Sequence, residues 1–299
     1  MILFRKRSNS ITYSFIADQL SLLNLSVYTP LNYVLPSRME HYAQLYDKTV
    51  KSGQGARLRQ IDREQSLQIL MRINLLKRLE SSVNSFLITL EGIISQVEGA
   101  LKSIEQGSEK DEYNGILAKI NDENFDWESE WGDEENIIGR KVKIHISDMD
   151  KTRWQENLSS DLVLLKELML RTSHIEKEND TKLQRLKELL DNKIAQPFNV
   201  GNKKVIIFTA FADTAKYLYK ELGKYIKDTY GLNSALVTGT QRLCSEKKIP
   251  TELNAILTCF SPISKDKAQI FPNITESIDI LIATDCIRKV KTYKTAIFD

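Results

Sequence analysis

Thr209, the triplet Thr238-Gly239-Thr240 and the pair Thr284-Asp285 each stand where a short apolar run ends. Small hydroxyl side chains and open backbone N–H groups in such places grip phosphate oxygens without reading bases. The same threonines could equally cap helices or close turns. The other chemistry-bearing residues form no set. His41, His145 and His174 are scattered, with no triad or metal spacing, and read as structural or exposed. Cys244, Cys259 and Cys286 give an odd count without ligand spacing, which points to reduced thiols in a cytoplasmic setting. No G-x-x-x-x-G-K-[ST] loop occurs, and Ser52-Gly53-Gln54-Gly55 is only a turn signal. Asp133-Glu134-Glu135-Asn136 has the composition of a magnesium-binding acidic box, but no apolar strand leads into it, so it is set aside.

The elements that would position these residues fall into four zones. Up to about Pro36, a basic start (Arg5-Lys6-Arg7) precedes an extended-looking stretch from Ser26 to Leu35, which reads as a strand bounded by prolines. Leu67, Leu70, Met71, Leu75, Leu79, Val83, Phe86, Leu90, Ile93, Ile94, Val97, Leu101 and Ile104 then recur at helical spacing. That pattern fits a long hairpin arm, a coiled-coil-like seam or the core-facing helix of a bundle. Residues 108–139 are acidic and weakly patterned, the composition of a solvated loop. A second helix is expected from Ser160 to about Ile194, ended by Pro197 and Gly201.

From Lys203 the period changes. Lys203 to Thr209 reads as a strand buried on both faces, and Asp213 to Tyr230 as an amphipathic helix closed by Gly231. Ser234 to Thr238, Ile256 to Phe260 and Ser277 to Asp285 read as further strands. Strands alternating with helices call for a parallel α/β sheet, whose ligands sit beyond the strand C-termini. Composition agrees with a globular chain: 299 residues are 41% hydrophobic and 27% charged, enough for two domains or one domain with a helical extension. No apolar run reaches the roughly 18–20 residues of a membrane helix. The N-terminus lacks the pattern of a secretory signal. A net charge of +2 means that any nucleic-acid surface must be local.

In this order the segments resemble a known family. Asp180 to Leu190, Lys204-Val205-Ile206-Ile207-Phe208-Thr209-Ala210-Phe211, Ala235-Leu236-Val237-Thr238-Gly239 and Asp279-Ile280-Leu281-Ile282-Ala283-Thr284-Asp285 are similar to the second RecA-like lobe of bacterial Swi/Snf-like superfamily-two helicases and DNA translocases of the DEAD/DEAH type. Leu75-Leu76-Lys77-Arg78-Leu79-Glu80-Ser81-Ser82 resembles the helical segment that bacterial members place between lobes, and Phe4-Arg5-Lys6-Arg7 the basic run after the first lobe. The resemblance implies that Thr209, Thr238, Gly239 and Thr284 face the backbone of duplex DNA. It implies ATP and magnesium for the intact relative only, since this chain lacks the phosphate loop, the acidic box and the arginine-finger motif.

After Ile287 the bacterial relatives continue Ser-Glu-Gly-Gln-Asn-Leu-Gln-Asp-Cys-Asp, whereas this chain reads Arg288-Lys289-Val290-Lys291-Thr292-Tyr293-Lys294-Thr295-Ala296-Ile297. With a suitable choice of codons, deleting one nucleotide near the codon for Arg288 converts the first text into the second, so the tail is expected to be frameshifted. The expectation is therefore an α/β chain with a long, mainly helical region before a partial RecA-like lobe. Residues 1–36 would be a linker from an absent first lobe, 37–200 a helical insertion, 201–287 the partial lobe and 288–299 an aberrant tail. Its function would be that of an incomplete ATP-dependent helicase, binding DNA but not hydrolysing ATP alone. The alternative is a non-catalytic module whose leucine-rich arm binds a protein partner helix. Any other nucleotide-binding enzyme would need a phosphate loop, and none is present.

Overall fold

The computed structural model describes residues 13–49, 57–106, 112–114, 142–174 and 180–285. The basic start, the tail from 288 and all of the acidic stretch except Glu112–Asn114 lie outside the described residues. The chain is mixed α/β and mostly helical, and it divides into two compact units with the change between residues 176 and 177. Among the described residues no helix is long and apolar enough to cross a membrane.

The first unit holds helices α1 (Tyr13–Leu22), α2 (Pro36–Tyr46), α3 (Gln60–Ser81), α4 (Val83–Gln106) and α5 (Lys151–Ser173). Two short antiparallel pairs accompany them: β1 (Lys48–Thr49) with β2 (Arg57–Leu58), and β3 (Glu112–Asn114) with β4 (Lys143–His145). The helical spacing read from Leu67 onward does mark one buried face, but two helices share it. Ser82 is extended (φ −158°, ψ 149°), and its hydroxyl accepts a hydrogen bond from the N–H of Ser85, which restarts the chain as α4. Leu75, Phe86, Leu90 and Val97 of this pair are fully buried, as are Trp154, Leu158 and Leu165 of α5, which packs along α4.

Two elements differ from the sequence reading here. Ser26 to Leu35 is not a strand: Ser26–Tyr28 and Pro30–Tyr33 are 3₁₀ turns. Leu25 adopts a left-handed φ of 50° before the first, and Pro30 opens the second. The buried Asp161 carboxylate accepts from the N–H groups of Asn24 and Ser26, at 2.6 and 2.9 Å, and from the Ser26 hydroxyl at 2.7 Å. Those bonds replace a strand ladder, leaving Val34 with a single bridge to Met149. The expected helix from Ser160 to Ile194 is also two helices. The first starts earlier because Asp150 caps it, accepting from the N–H of Arg153.

The second unit starts at α6 (Thr181–Ala195), capped by Asp180. It continues through β5 (Val205–Phe208), α7 (Ala212–Tyr230), β6 (Ser234–Val237), β7 (Arg242–Cys244), α8 (Leu253–Phe260), α9 (Lys267–Ile270) and β8 (Ile280–Ala283). The sheet order is β5-β8-β6-β7; the first three strands are parallel and β7 is antiparallel. Leu183, Leu190, Ala215, Leu222 and Ile226 of α6 and α7 cover one face through Leu236, Ile280 and Ile282. Ile256, Leu257 and Phe260 of α8 cover the other through Ala235, Val237, Leu281 and Ala283. Gly231 closes α7 in the left-handed conformation expected of it (φ 66°). The side chain of Asp191 on α6 accepts from the hydroxyls of Tyr225 and Tyr230 on α7.

Two strand expectations are corrected. Ile256 to Phe260 lies in helix α8; it is buried all round, and a short apolar run without period does not distinguish a strand from a buried helix. β5 is an edge strand that pairs only with β8, so Val205, Ile206 and Ile207 are half-buried and Phe208 is exposed instead of being covered on both faces. In sequence, α6 looked like part of the helical region, but its leucines pack on the sheet.

One buried acid gives the first unit a pH dependence. Glu64 accepts the N–H of Leu31 at 3.0 Å and is almost wholly buried, and burial pushes its carboxyl well above the usual glutamate range. Below that range both the folded and the unfolded chain hold the proton. As pH rises the unfolded chain ionises first, so the stability contributed by protonated Glu64 is lost up to its raised folded value. Glu64→Gln keeps an acceptor and has no proton to lose. Urea midpoints taken from about pH 4 to pH 8 should show wild type falling relative to this variant. Curves that stay parallel would contradict the assignment.

Candidate nucleic-acid interface

The ladder of the parallel sheet decides where the predicted residues lie. Phe208 pairs with Ala283, and Ala283 with Val237, so the next residues, Thr209, Thr284 and Thr238, stand abreast. The ladder continues through them: the N–H of Thr209 donates to the Ala283 carbonyl at 3.0 Å, and that of Thr284 to the Val237 carbonyl at 3.1 Å. Neighbouring strands are about 4.8 Å apart, so the row spans about 10 Å. Strand alternation also puts all three on one face. Val205, Ile207, Leu236, Ile280 and Ile282 point toward α6 and α7, and the threonines continue that series at even spacing. All three predicted threonines are thus brought to the carboxyl edge of the parallel strands, with Gly239 immediately after Thr238.

Their hydroxyls do different work. Thr238 is buried, and its hydroxyl accepts from the N–H of Gln241 at 2.9 Å and donates to the Gln241 carbonyl at 3.1 Å. The Thr238 N–H also donates to that carbonyl, at 2.8 Å, so this threonine closes the turn that leads into β7. Thr209 is half-buried, and its hydroxyl accepts weakly, at 3.4 Å, from the N–H of Phe211 at the start of α7. Thr284 is buried beneath the edge. Gly239 and Thr240 are the exposed members. No side chain crowds Gly239: a Cβ placed there would meet nothing within 4 Å.

β7 is the element that sequence reasoning missed. Three residues are too few to show a strand period; the signal available was Thr238-Gly239 separated by two residues from Arg242, an arrangement that can turn a chain back. The histidines belong to the first unit, and His41, His145 and His174 are all exposed. Cys244 and Cys259 are free, and burial pushes both thiols up, which leaves them poor nucleophiles. Among the described residues no group of His, Cys, Asp and Glu has the arrangement of a metal site.

The turn assignment can be tested directly. Thr238→Ala frees the Gln241 N–H, so its hydrogen exchange should quicken roughly tenfold, while Thr238→Ser should preserve the slow rate. Unchanged exchange in the alanine variant would remove the turn role.

Set beside known proteins, the chain matches no protein-family model, no curated protein and no solved structure.

Proposed function

We propose that this chain carries part of the second, RecA-like lobe of an ATP-dependent DNA helicase or translocase of the Swi/Snf-like type. Its share of the work is to hold the nucleic-acid backbone. ATP and magnesium belong to the intact motor, and this chain alone does not hydrolyse ATP. One observation carries the reading: the positions that the resemblance assigns to the DNA backbone, Thr209, Thr238-Gly239 and Thr284, lie side by side at the carboxyl edge of three parallel strands. Ligands of open α/β sheets bind at that edge. Hydroxyls and N–H groups there suit phosphodiester oxygens, which are alike in every sequence. In an intact relative, closure of two lobes on ATP would move such a grip along duplex DNA.

A helical interaction module is the second reading. Ile69 and Ile73, one helical turn apart on α3, are about half exposed (55% and 45%) and would offer a partner helix an apolar contact. The two readings separate on DNA. As a backbone reader, the purified chain should bind a short fluorescent duplex of arbitrary sequence and show no ATPase activity. With about one phosphate neutralised, the logarithmic salt slope should be about −0.9, roughly a three- to fourfold loss from about 50 to 200 mM salt. Absence of duplex binding at about 50 mM salt, together with retention of one protein partner, would favour the interaction module.

A further inference from the structure

The row of threonines is uncharged, and its surroundings are uneven. On the β5 side, Asp213 sits in the first turn of α7, while Asp285 follows Thr284 at the end of the middle strand, β8. The Asp213 carboxylate disfavours a phosphate at the β5 end. On the β6 side the chain turns through Gly239 and Thr240 into Arg242, which pairs with Val237 in the ladder and so lies at the same edge. Arg242 is exposed and makes no ion pair with any described residue. The N–H groups of Gly239 and Thr240 donate to no described acceptor, whereas those of Thr238 and Gln241 are consumed inside the turn. Gly239 has neither a positive φ nor a crowded Cβ to explain it. Glycine at such a position leaves room for a ligand to approach the backbone closely.

Resting on the reading above, we infer that the phosphate seat of this edge is the β6–β7 turn, with the Gly239 and Thr240 N–H groups and the Arg242 guanidinium holding one phosphodiester. The chemistry is that of an anion nest completed by a charged fork: two successive N–H groups accept no proton and carry partial positive charge, and the guanidinium adds the full charge that hydroxyls lack. Thr209, at the far end of the row from the turn, orders the start of α7 and is not part of the seat.

Duplex binding by the full chain, followed by anisotropy over a salt series, tests this seat. Arg242→Gln should weaken binding about tenfold and lower the salt slope by about one. Lys203→Gln removes an exposed charge from the opposite end of the strands and should leave the slope unchanged. Gly239→Val fills the open space and should weaken binding while thermal melting stays as in wild type. Wild-type binding with an unchanged slope in Arg242→Gln, or equal losses in Arg242→Gln and Lys203→Gln, would overturn the seat and leave the wider reading standing. A wild-type chain that binds no duplex would overturn both.

Discussion

β8 is the strand on which the second unit depends. It is buried along its whole length and pairs in parallel with β5 on one side and β6 on the other. Ile280 and Ile282 meet the α6 and α7 face, while Leu281 and Ala283 meet α8, so each residue of the strand is committed to one layer. A slip of one residue would send each of these side chains to the opposite layer. Register is therefore strongly determined, and the alignment of Thr209, Thr284 and Thr238 follows from it. The edge thus results from core packing: no loop has to fold precisely for the three threonines to stand abreast.

The helical unit is organised around a different kind of constraint. Residues 23–34 cross its core without regular ladders, so their backbone groups need other partners. Asp161 supplies three bonds to Asn24 and Ser26, Glu64 one to Leu31, and the Leu23 and Asn24 carbonyls accept from the side chains of Arg72 and Gln68. The Trp154 indole donates to the Ser26 carbonyl at 3.3 Å. Carboxyl groups buried in this way hold an irregular segment in one conformation, and losing either partner would leave buried donors unmatched.

How much of this was legible in the sequence varied with the physics involved. Strands read well where the apolar run was continuous and a polar or glycine residue ended it, as at Ile280–Ala283 and Ser234–Val237. Helix α7 read well because its period and its terminal Gly231 agreed. Ile256 to Phe260 misled because burial on every side erases periodicity. Ser26 to Leu35 misled because β-branched and aromatic residues served a core crossing held by distant carboxylates, which local composition does not reveal. The alignment of the threonines was legible only as three strand ends; their order across the sheet needed the ladder. Gln241 and Arg242 were missed, since the three-residue β7 leaves no period and only the preceding Thr238-Gly239 hinted at a turn.

The central claim is that the carboxyl edge of β5, β8 and β6, at its β6–β7 end, is the surface that meets nucleic acid. Mapping amide chemical shifts of the isotopically labelled chain during titration with a short duplex addresses it most directly. The account predicts shifts concentrated at Gly239, Thr240, Gln241 and Arg242, fading along the row toward Thr209, with the amino ends of the strands around Lys203 and Ile278 unmoved. Shifts centred on those amino ends, or on the exposed face of α3 around Ile69 and Ile73, would contradict it.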